Sequence, residues 1–246
     1  MLKTIELTKR YEDGLLALDR LNLHVAPGEC YALLGANAAG KTTTMNLFLG
    51  FLEPTSGQAL VNGIDVATEP LQAKRFVAYL PESVTLYGNL TAEQNLRFFA
   101  SLAARELGHD ECEALFREVG LQEGAGRRKL REFSKGMRQK VGIAVAIAKD
   151  APALLLDEPT SGLDPKAAAE LLEVLHRQKA RGRAILMNTH DIFRAREIAD
   201  KVGIMRSGQL LAEMNRREFA TTDLESLYLR TMGQSAAAAE AAAPHR

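Results

Sequence analysis

One stretch, Glu29 to Thr43, limits what this chain can fold into more than any other. It reads Glu-Cys-Tyr-Ala-Leu-Leu-Gly-Ala-Asn-Ala-Ala-Gly-Lys-Thr-Thr. Gly35, Gly40, Lys41 and Thr42 fall at the G-x-x-x-x-G-K-[ST] spacing that sets a phosphate-binding loop between a strand and a helix. An apolar, strand-like run leads in and a helix-like Thr43 to Leu49 leads out, which is the context the motif needs. Glycines let the backbone approach an anion, so Gly35, Ala36, Asn37, Ala38, Ala39 and Gly40 can turn successive N–H groups toward a phosphate at the positive end of the next helix. Lys41 adds a mobile charge for the β- and γ-phosphates. The Thr42 hydroxyl is a ligand for a bridging Mg²⁺, and Thr43 adds a bond to the α-phosphate. The stretch predicts a nucleoside triphosphate site.

A chain of 246 residues, 46% hydrophobic, can bury a sizeable core around such a loop. Lys plus Arg and Asp plus Glu both number 31, so bulk charge asks for no nucleic acid partner. Cys30 and Cys112 stand in no metal-ligand spacing, which fits a reducing cytosol and two packed, unpaired thiols. The longest apolar runs, Ile143 to Ala148 and Ala151 to Leu156, are far too short to span a membrane. Met1-Leu2-Lys3 opens a strand rather than a signal peptide. Any membrane role is therefore expected through a partner.

Alternating apolar and polar residues predict antiparallel strands at Leu2 to Leu7 and Leu21 to Val25. Tyr11, beside the turn before the second of these, reads as a packed ring or a nucleotide-stacking one. Past the phosphate loop, Gln58 to Val61 reads as a strand closed by the Asn62-Gly63 hairpin turn, and Phe76 to Leu80 as another ended by Pro81. From Thr91 the period changes: Thr91 and Gln94 form a capping box, with Leu96, Phe99 and Leu102 on one face. A helix is expected from Asp110 to Val119. Another, capped by Ser134, is expected from Met137 to Lys149, with an apolar stripe of Val141, Ala144, Val145 and Ala148. Together these predict a helical subdomain over about residues 91 to 150. Arg127-Arg128-Lys129 with Arg131 reads as a solvated basic face. Ala153 to Leu156 reads as a strand buried on both faces and ending in Asp157-Glu158-Pro159. Asp164-Pro165 opens a helix to about Ala180. A strand at Ala184 to Met187, a turn at Thr189-His190-Asp191, a helix to Asp200 and a hairpin around Ser207-Gly208 follow. Alternating strands and helices predict a parallel sheet with ligands at its carboxyl ends. From Gly233 the chain is Ala-rich and is expected to be disordered or a frayed helix. The domain proper is expected over residues 1 to 232.

A phosphate loop needs a metal-holding carboxylate and a group to handle the attacking water. Asp157 at a buried strand end suits the first role and Glu158 the second. Here Leu155-Leu156-Asp157-Glu158-Pro159-Thr160-Ser161-Gly162-Leu163-Asp164 resembles the Walker B motif and D-loop of ABC-transporter nucleotide-binding domains. With the phosphate loop, the resemblance runs in order from Tyr11 to about Glu213. It implies an α/β fold, a P-loop NTPase of ABC type. The expected parts are a mostly parallel core sheet, an N-terminal antiparallel β subdomain and an inserted α-helical subdomain. On this resemblance Tyr11 matches the aromatic that stacks on adenine, and His190 the switch histidine that reaches the γ-phosphate. Phe133-Ser134-Lys135-Gly136-Met137-Arg138-Gln139 matches the signature, usually Leu-Ser-Gly-Gly-Gln. Ser134 and Gly136 are retained, whereas Lys135 and Met137 depart from it. Glu82, in Tyr79-Leu80-Pro81-Glu82, stands where the Q-loop places a glutamine. A carboxylate there can still ligate Mg²⁺.

The resemblance further implies ATP and Mg²⁺ as ligands and a head-to-tail dimer, either a homodimer or a pair with a sister ATPase. In it the Ser134 end of one subunit would meet the γ-phosphate on the other. It implies an ATP-hydrolysing subunit on the cytoplasmic face of the membrane, powering a separate permease of the ABC-2 export type through the segment Pro81 to Leu90. Leu80 to Tyr87 and the Ser-Lys-Gly-Met-Arg-Gln signature also resemble ATPases that serve copper-site assembly of nitrous oxide reductase. The competing reading is a soluble ABC ATPase acting on ribosomes or DNA. Such proteins usually carry two cassettes or a long coiled coil, and neither is seen in this sequence. A GTPase or small-molecule kinase is disfavoured by the signature motif and by Asn188-Thr189-His190-Asp191, which lacks the lysine of a guanine-reading motif.

Overall fold

The computed structural model describes residues 1–231; the Ala-rich segment from Gly233 lies outside them. In chain order the elements are β1 (Leu2–Arg10), β2 (Leu16–Val25), β3 (Cys30–Leu34), α1 (Lys41–Phe48), β4 (Ser56–Val61), β5 (Ile64–Asp65), α2 (Pro70–Ala73) and β6 (Val77–Leu80). Then come α3 (Ala92–Leu102), α4 (His109–Glu118), α5 (Lys135–Ala148), β7 (Ala153–Asp157), α6 (Pro165–Ala180), β8 (Ala184–Thr189), α7 (Ile192–Ile198), β9 (Lys201–Arg206), β10 (Gln209–Asn215) and α8 (Arg216–Thr221). The chain is helical again over 224–231.

The strands form two sheets. A six-stranded sheet in the order β10-β9-β3-β8-β7-β6 is parallel except for the β9–β10 hairpin. A four-stranded antiparallel sheet runs β2-β1-β4-β5. The expected N-terminal β subdomain is thus completed from beyond the phosphate loop, because β4 returns to pair with β1. Asn62 (φ 52°) and Gly63 (φ 81°) close the β4–β5 hairpin with both φ angles positive, as a tight primed turn requires.

Central strands of the parallel sheet are buried along their whole length, and their residues alternate between two cores. Tyr31 and Leu33 of β3, Ala153 and Leu155 of β7, and Ala184 and Leu186 of β8 join α1 and the antiparallel sheet in one core. Ala32, Leu34, Leu154, Leu156, Ile185 and Met187 join the helices α3 to α7 in the other. A fully buried leucine of this kind contributes about 1.5–3 kcal/mol, so burial on both faces stabilises the sheet that carries the loops at its ends.

On the second core sit α3, α4 and α5. The Thr91 hydroxyl accepts the Gln94 N–H at 3.1 Å and the Gln94 side chain accepts the Thr91 N–H at 2.9 Å, a complete capping box. Thr91→Ala is expected to cost about 1 kcal/mol, read as a fall in the denaturation midpoint. Leu96 is fully buried, but Leu102 is 70% exposed and does not share its face. At 3.6 residues per turn each step of three falls about 60° short of a full turn, so Leu102 lies about 120° around α3 from Leu96. The backbone enters the left-handed region at Ala104, φ 57°, just past the end of α3. Among the described residues, no helix is long and apolar enough to cross a membrane.

Candidate functional site

Parallel register brings the carboxyl ends of β3, β8, β7 and β6 side by side: Leu34 pairs with Thr189, Asp157 with Asn188, and Leu80 with Leu156. The residues that follow or end those strands are the phosphate loop, His190, the Asp157-Glu158 pair and Glu82. Sheet topology therefore collects, from segments far apart in sequence, the groups the motifs singled out one by one.

The loop's glycines are demanded by close approach. A Cβ on Gly35 would lie 2.6 Å from the Met205 carbonyl oxygen, and one on Gly40, whose φ is 107°, would lie 2.7 Å from that of Ala17. Ala36, Asn37 and Ala38 are exposed, and Ala38 joins Gly40 at positive φ, so the loop is an open concave run of backbone. Lys41 begins α1 and is 7% exposed; its Nζ donates to the carbonyls of Gly35 at 2.5 Å and Ala36 at 3.2 Å. Burial lowers its pKa, against the opposing pull of Glu158 and Asp157. Thr42 is exposed beside it. The Tyr11 hydroxyl lies 3.4 Å from the Thr43 hydroxyl, with the Lys9 ammonium 5.6 Å from the ring centroid, which puts this aromatic at the rim of the loop.

Asp157 is 8% exposed, and one oxygen accepts a hydrogen bond from the Asn188 side-chain amide at 3.1 Å. Burial raises its pKa, as do the charges of Glu158 and Glu82, while the Asn188 bond and Lys41 oppose the rise. Glu158 has φ 46°, a left-handed conformation that costs a non-glycine residue about 1 kcal/mol or more. Its N–H donates to the Asn188 carbonyl at 3.0 Å and its carboxylate meets the His190 Nδ1 at 2.9 Å. Glu82 accepts a bond from the Ser161 hydroxyl at 3.4 Å, so the residue at the Q-loop position touches the segment after Glu158. Oxygen donors from Thr42, Asp157 and Glu82 are a hard set, suited to a small divalent cation.

Ser134 and Gly136 lie elsewhere. The Ser134 hydroxyl caps α5 by accepting the Met137 N–H at 3.2 Å, and both residues line a cavity shared with Gly162 and Asp164 that no phosphate-loop residue enters. A Cβ on Gly136 would make ordinary 3.6 Å contacts with Ala167 and Leu163, so nothing among the described residues of one chain requires glycine there. The Gln139 amide donates to the Pro159 carbonyl at 3.0 Å and ties α5 to the segment after Glu158.

Asn188 is the residue that sequence reasoning missed; its only signal was a polar side chain at the end of an otherwise apolar strand. A spatial cluster was also missed. Glu93, His109 and Glu113 place one ligand atom each within 4.8 Å. Glu93 is engaged by Arg97 at 2.7 Å and His109 at 3.1 Å, which makes this a charge pairing across α3 and α4.

Comparison with known proteins agrees with this geometry. The family model described as "ABC transporter" matches residues 18–161. The probable multidrug ABC transporter ATP-binding protein YbhF of Escherichia coli is 36% identical over 212 residues, 84% of this chain and 36% of that protein. This chain thus spans about a third of that relative's length. The bacitracin transport ATP-binding protein BcrA of Bacillus licheniformis is 36% identical over 215 residues, 87% of this chain and 69% of that one. Among solved structures, the dimeric post-hydrolysis state of the ATP-binding cassette MJ0796 bound to ADP and Pi superimposes with TM-score 0.79 at 25% identity. It covers 88% of this chain and 99% of that one. With its phosphate loop, acidic strand end and capped signature helix held on a parallel sheet, this chain belongs to the ABC transporter family, as one of its ATP-binding cassettes.

Proposed function

We propose that this chain is the ATP-binding and ATP-hydrolysing subunit of an ABC exporter of the ABC-2 type, acting as a dimer on the cytoplasmic face of a membrane through a separate permease. One observation carries the reading. Lys41, Asp157, Glu158, His190 and Glu82 gather at one end of the sheet, while Ser134 and Gly136 line a cavity that none of these residues lines, so a second cassette is what would bring a signature against this phosphate loop. The dimeric cassette with ADP and Pi is a solved relative in which two such chains are paired.

In this reading the loop from Gly35 to Gly40 and the N-terminus of α1 hold the phosphates, Lys41 moves from the Gly35 carbonyl to the β- and γ-phosphates, and Tyr11 stacks on the adenine. Thr42, Asp157 and Glu82 would hold Mg²⁺, which neutralises charge on the β- and γ-phosphates when bound. Glu158 takes the proton of the water that attacks the γ-phosphorus, as the bond to the β–γ bridging oxygen breaks and ADP and phosphate leave. His190 fixes the Glu158 carboxylate from Nδ1. Its Nε2 is then left to face a phosphate oxygen. The Ser134 hydroxyl and the α5 N-terminus of the opposing subunit complete the γ-phosphate shell. Shared ligand contacts stabilise the closed pair, and hydrolysis removes them.

Export is the direction named for the Nod factor export ATP-binding protein I of Burkholderia pseudomallei, 36% identical over 214 residues, whereas the BcrA and YbhF names speak of bacitracin transport and a probable multidrug transporter. The narrower resemblance to copper-site assembly ATPases gains nothing from these relatives. The test is a tagged Glu158→Gln chain purified from detergent-solubilised cells of its own source. A multi-span membrane protein is expected to copurify with it. Recovery of ribosomal or DNA-associated proteins alone would replace the permease reading with the soluble-ATPase one.

A further inference from the structure

Asn188 is fully buried in the central strand β8, at the register position directly beside Asp157 of β7 and Leu33 of β3. Alternation along the two strands sends both side chains to the face of the sheet that α1 covers, since Ala184 and Leu186 of β8 and Ala153 and Leu155 of β7 belong to that core. The amide N–H of Asn188 donates to Asp157 at 3.1 Å. Its own side-chain oxygen is buried with no hydrogen-bond partner among the described residues. A buried carbonyl without a partner is a cost to folding, and an apolar side chain of the same shape would remove it. A polar residue kept in such a place needs a compensating role, and among the described residues the only side chain it bonds is Asp157.

We infer that Asn188 is a positioning residue for cation binding: its amide occupies one oxygen of Asp157 and locks the carboxylate so that the other oxygen faces the cation. The charges of Glu158, Glu82 and Lys41 all act on Asp157. Unheld, its carboxylate could turn toward the Lys41 ammonium, so a donor on the β8 side selects the orientation that serves a cation. The inference rests on the reading of Asp157 as a Mg²⁺ ligand given above.

Asn188→Leu, close to isosteric, removes the donor and the orphaned oxygen together. The probes are Mn²⁺ binding to the ATP-loaded chain, followed by electron paramagnetic resonance, and affinity for a fluorescent ATP analogue in EDTA. Thermal melting of the free chain completes the set. The Mn²⁺ dissociation constant is expected to rise about tenfold to a hundredfold, the effect of losing a hydrogen bond to a charged group. Metal-free nucleotide affinity is expected to stay within about twofold, and the melting temperature to hold or rise. Asn188→Val, smaller and favoured in strands, loses the same donor and should give the same shift if leucine overpacks the site. Unchanged Mn²⁺ binding in these variants, beside a loss in Asp157→Asn, would overturn the inference alone. Unchanged Mn²⁺ binding in Asp157→Asn would overturn the cation reading as well. A parallel fall in metal binding, metal-free nucleotide affinity and melting temperature would reduce Asn188 to a structural residue and also defeat the inference.

Discussion

Replacing Glu158 by glutamine is expected to lower kcat for ATP hydrolysis by about 10²- to 10⁴-fold while nucleotide binding is retained, the range a positioned general base contributes. The substitution is nearly isosteric, and the features that hold this residue are mostly backbone ones: its left-handed φ of 46°, its N–H bond to the Asn188 carbonyl and its carbonyl bond from the Ser161 N–H. Those survive the change. What is lost is the ability to take a proton from water, because a carboxamide has no comparable basicity. The His190 bond also survives, since the amide oxygen can accept from Nδ1 where the carboxylate did at 2.9 Å. Bound ATP should then persist, and the chain should elute as a dimer in size-exclusion chromatography with ATP and as a monomer without it. Hydrolysis within about tenfold of the unsubstituted chain would remove Glu158 from the role of base.

Local chemistry in the sequence was enough to locate most of the elements that carry the site. Thr91 and Gln94 cap α3, Ser134 caps α5, and Asp164 with Pro165 opens a helix that ends at Ala180, because capping bonds span three residues and leave a local signature. Asp157 and Glu158 were legible for a similar reason: an apolar run and its acidic end are contiguous. Contacts between distant segments were not. That β4 crosses back to β1 depends on the sheet as a whole, and the sequence between them contains β3 and α1. The bond from Ser161 to Glu82 joins residues 79 apart, and the one from Asn188 to Asp157 joins residues 31 apart; each exists because parallel strands end in register. Asn188 itself entered the sequence argument only in the stretch that disfavours guanine, so its role emerged from its neighbour rather than from its motif. The exposed Leu102 is the converse case: spacing by three from Leu96 through Phe99 drifts about 60° a step around the helix, so the three do not share one face.

Lys41→Met is expected to separate stability from binding. Methionine keeps an unbranched stem of similar length, but it lacks the charge. At 7% exposure the Lys41 ammonium has left most of its water, and burial holds its pKa below the usual lysine value. A lysine whose folded pKa lies below its unfolded one destabilises the fold while it is charged, and that penalty fades as pH rises through the folded pKa. The two carbonyl bonds it makes, to Gly35 and Ala36, offset part of the cost in the free chain. At neutral pH the variant should therefore melt at the same temperature or higher. ATP affinity should fall by about two to three orders of magnitude, because a unit charge about 4 Å from a phosphate charge interacts by about 4 kcal/mol at an effective dielectric constant of about 20. Calorimetric titration with ATP beside a thermal melt reads both quantities. A melting temperature that drops together with the affinity would mean that the ammonium organises the loop in the free chain. An affinity that holds would mean that the backbone nest and the α1 N-terminus bind the phosphates without it. The first arm tests whether Lys41 is retained for the ligand at some expense to the fold. That is the same trade argued for Asn188, on the same face of the sheet, where α1 and the ends of β7 and β8 meet.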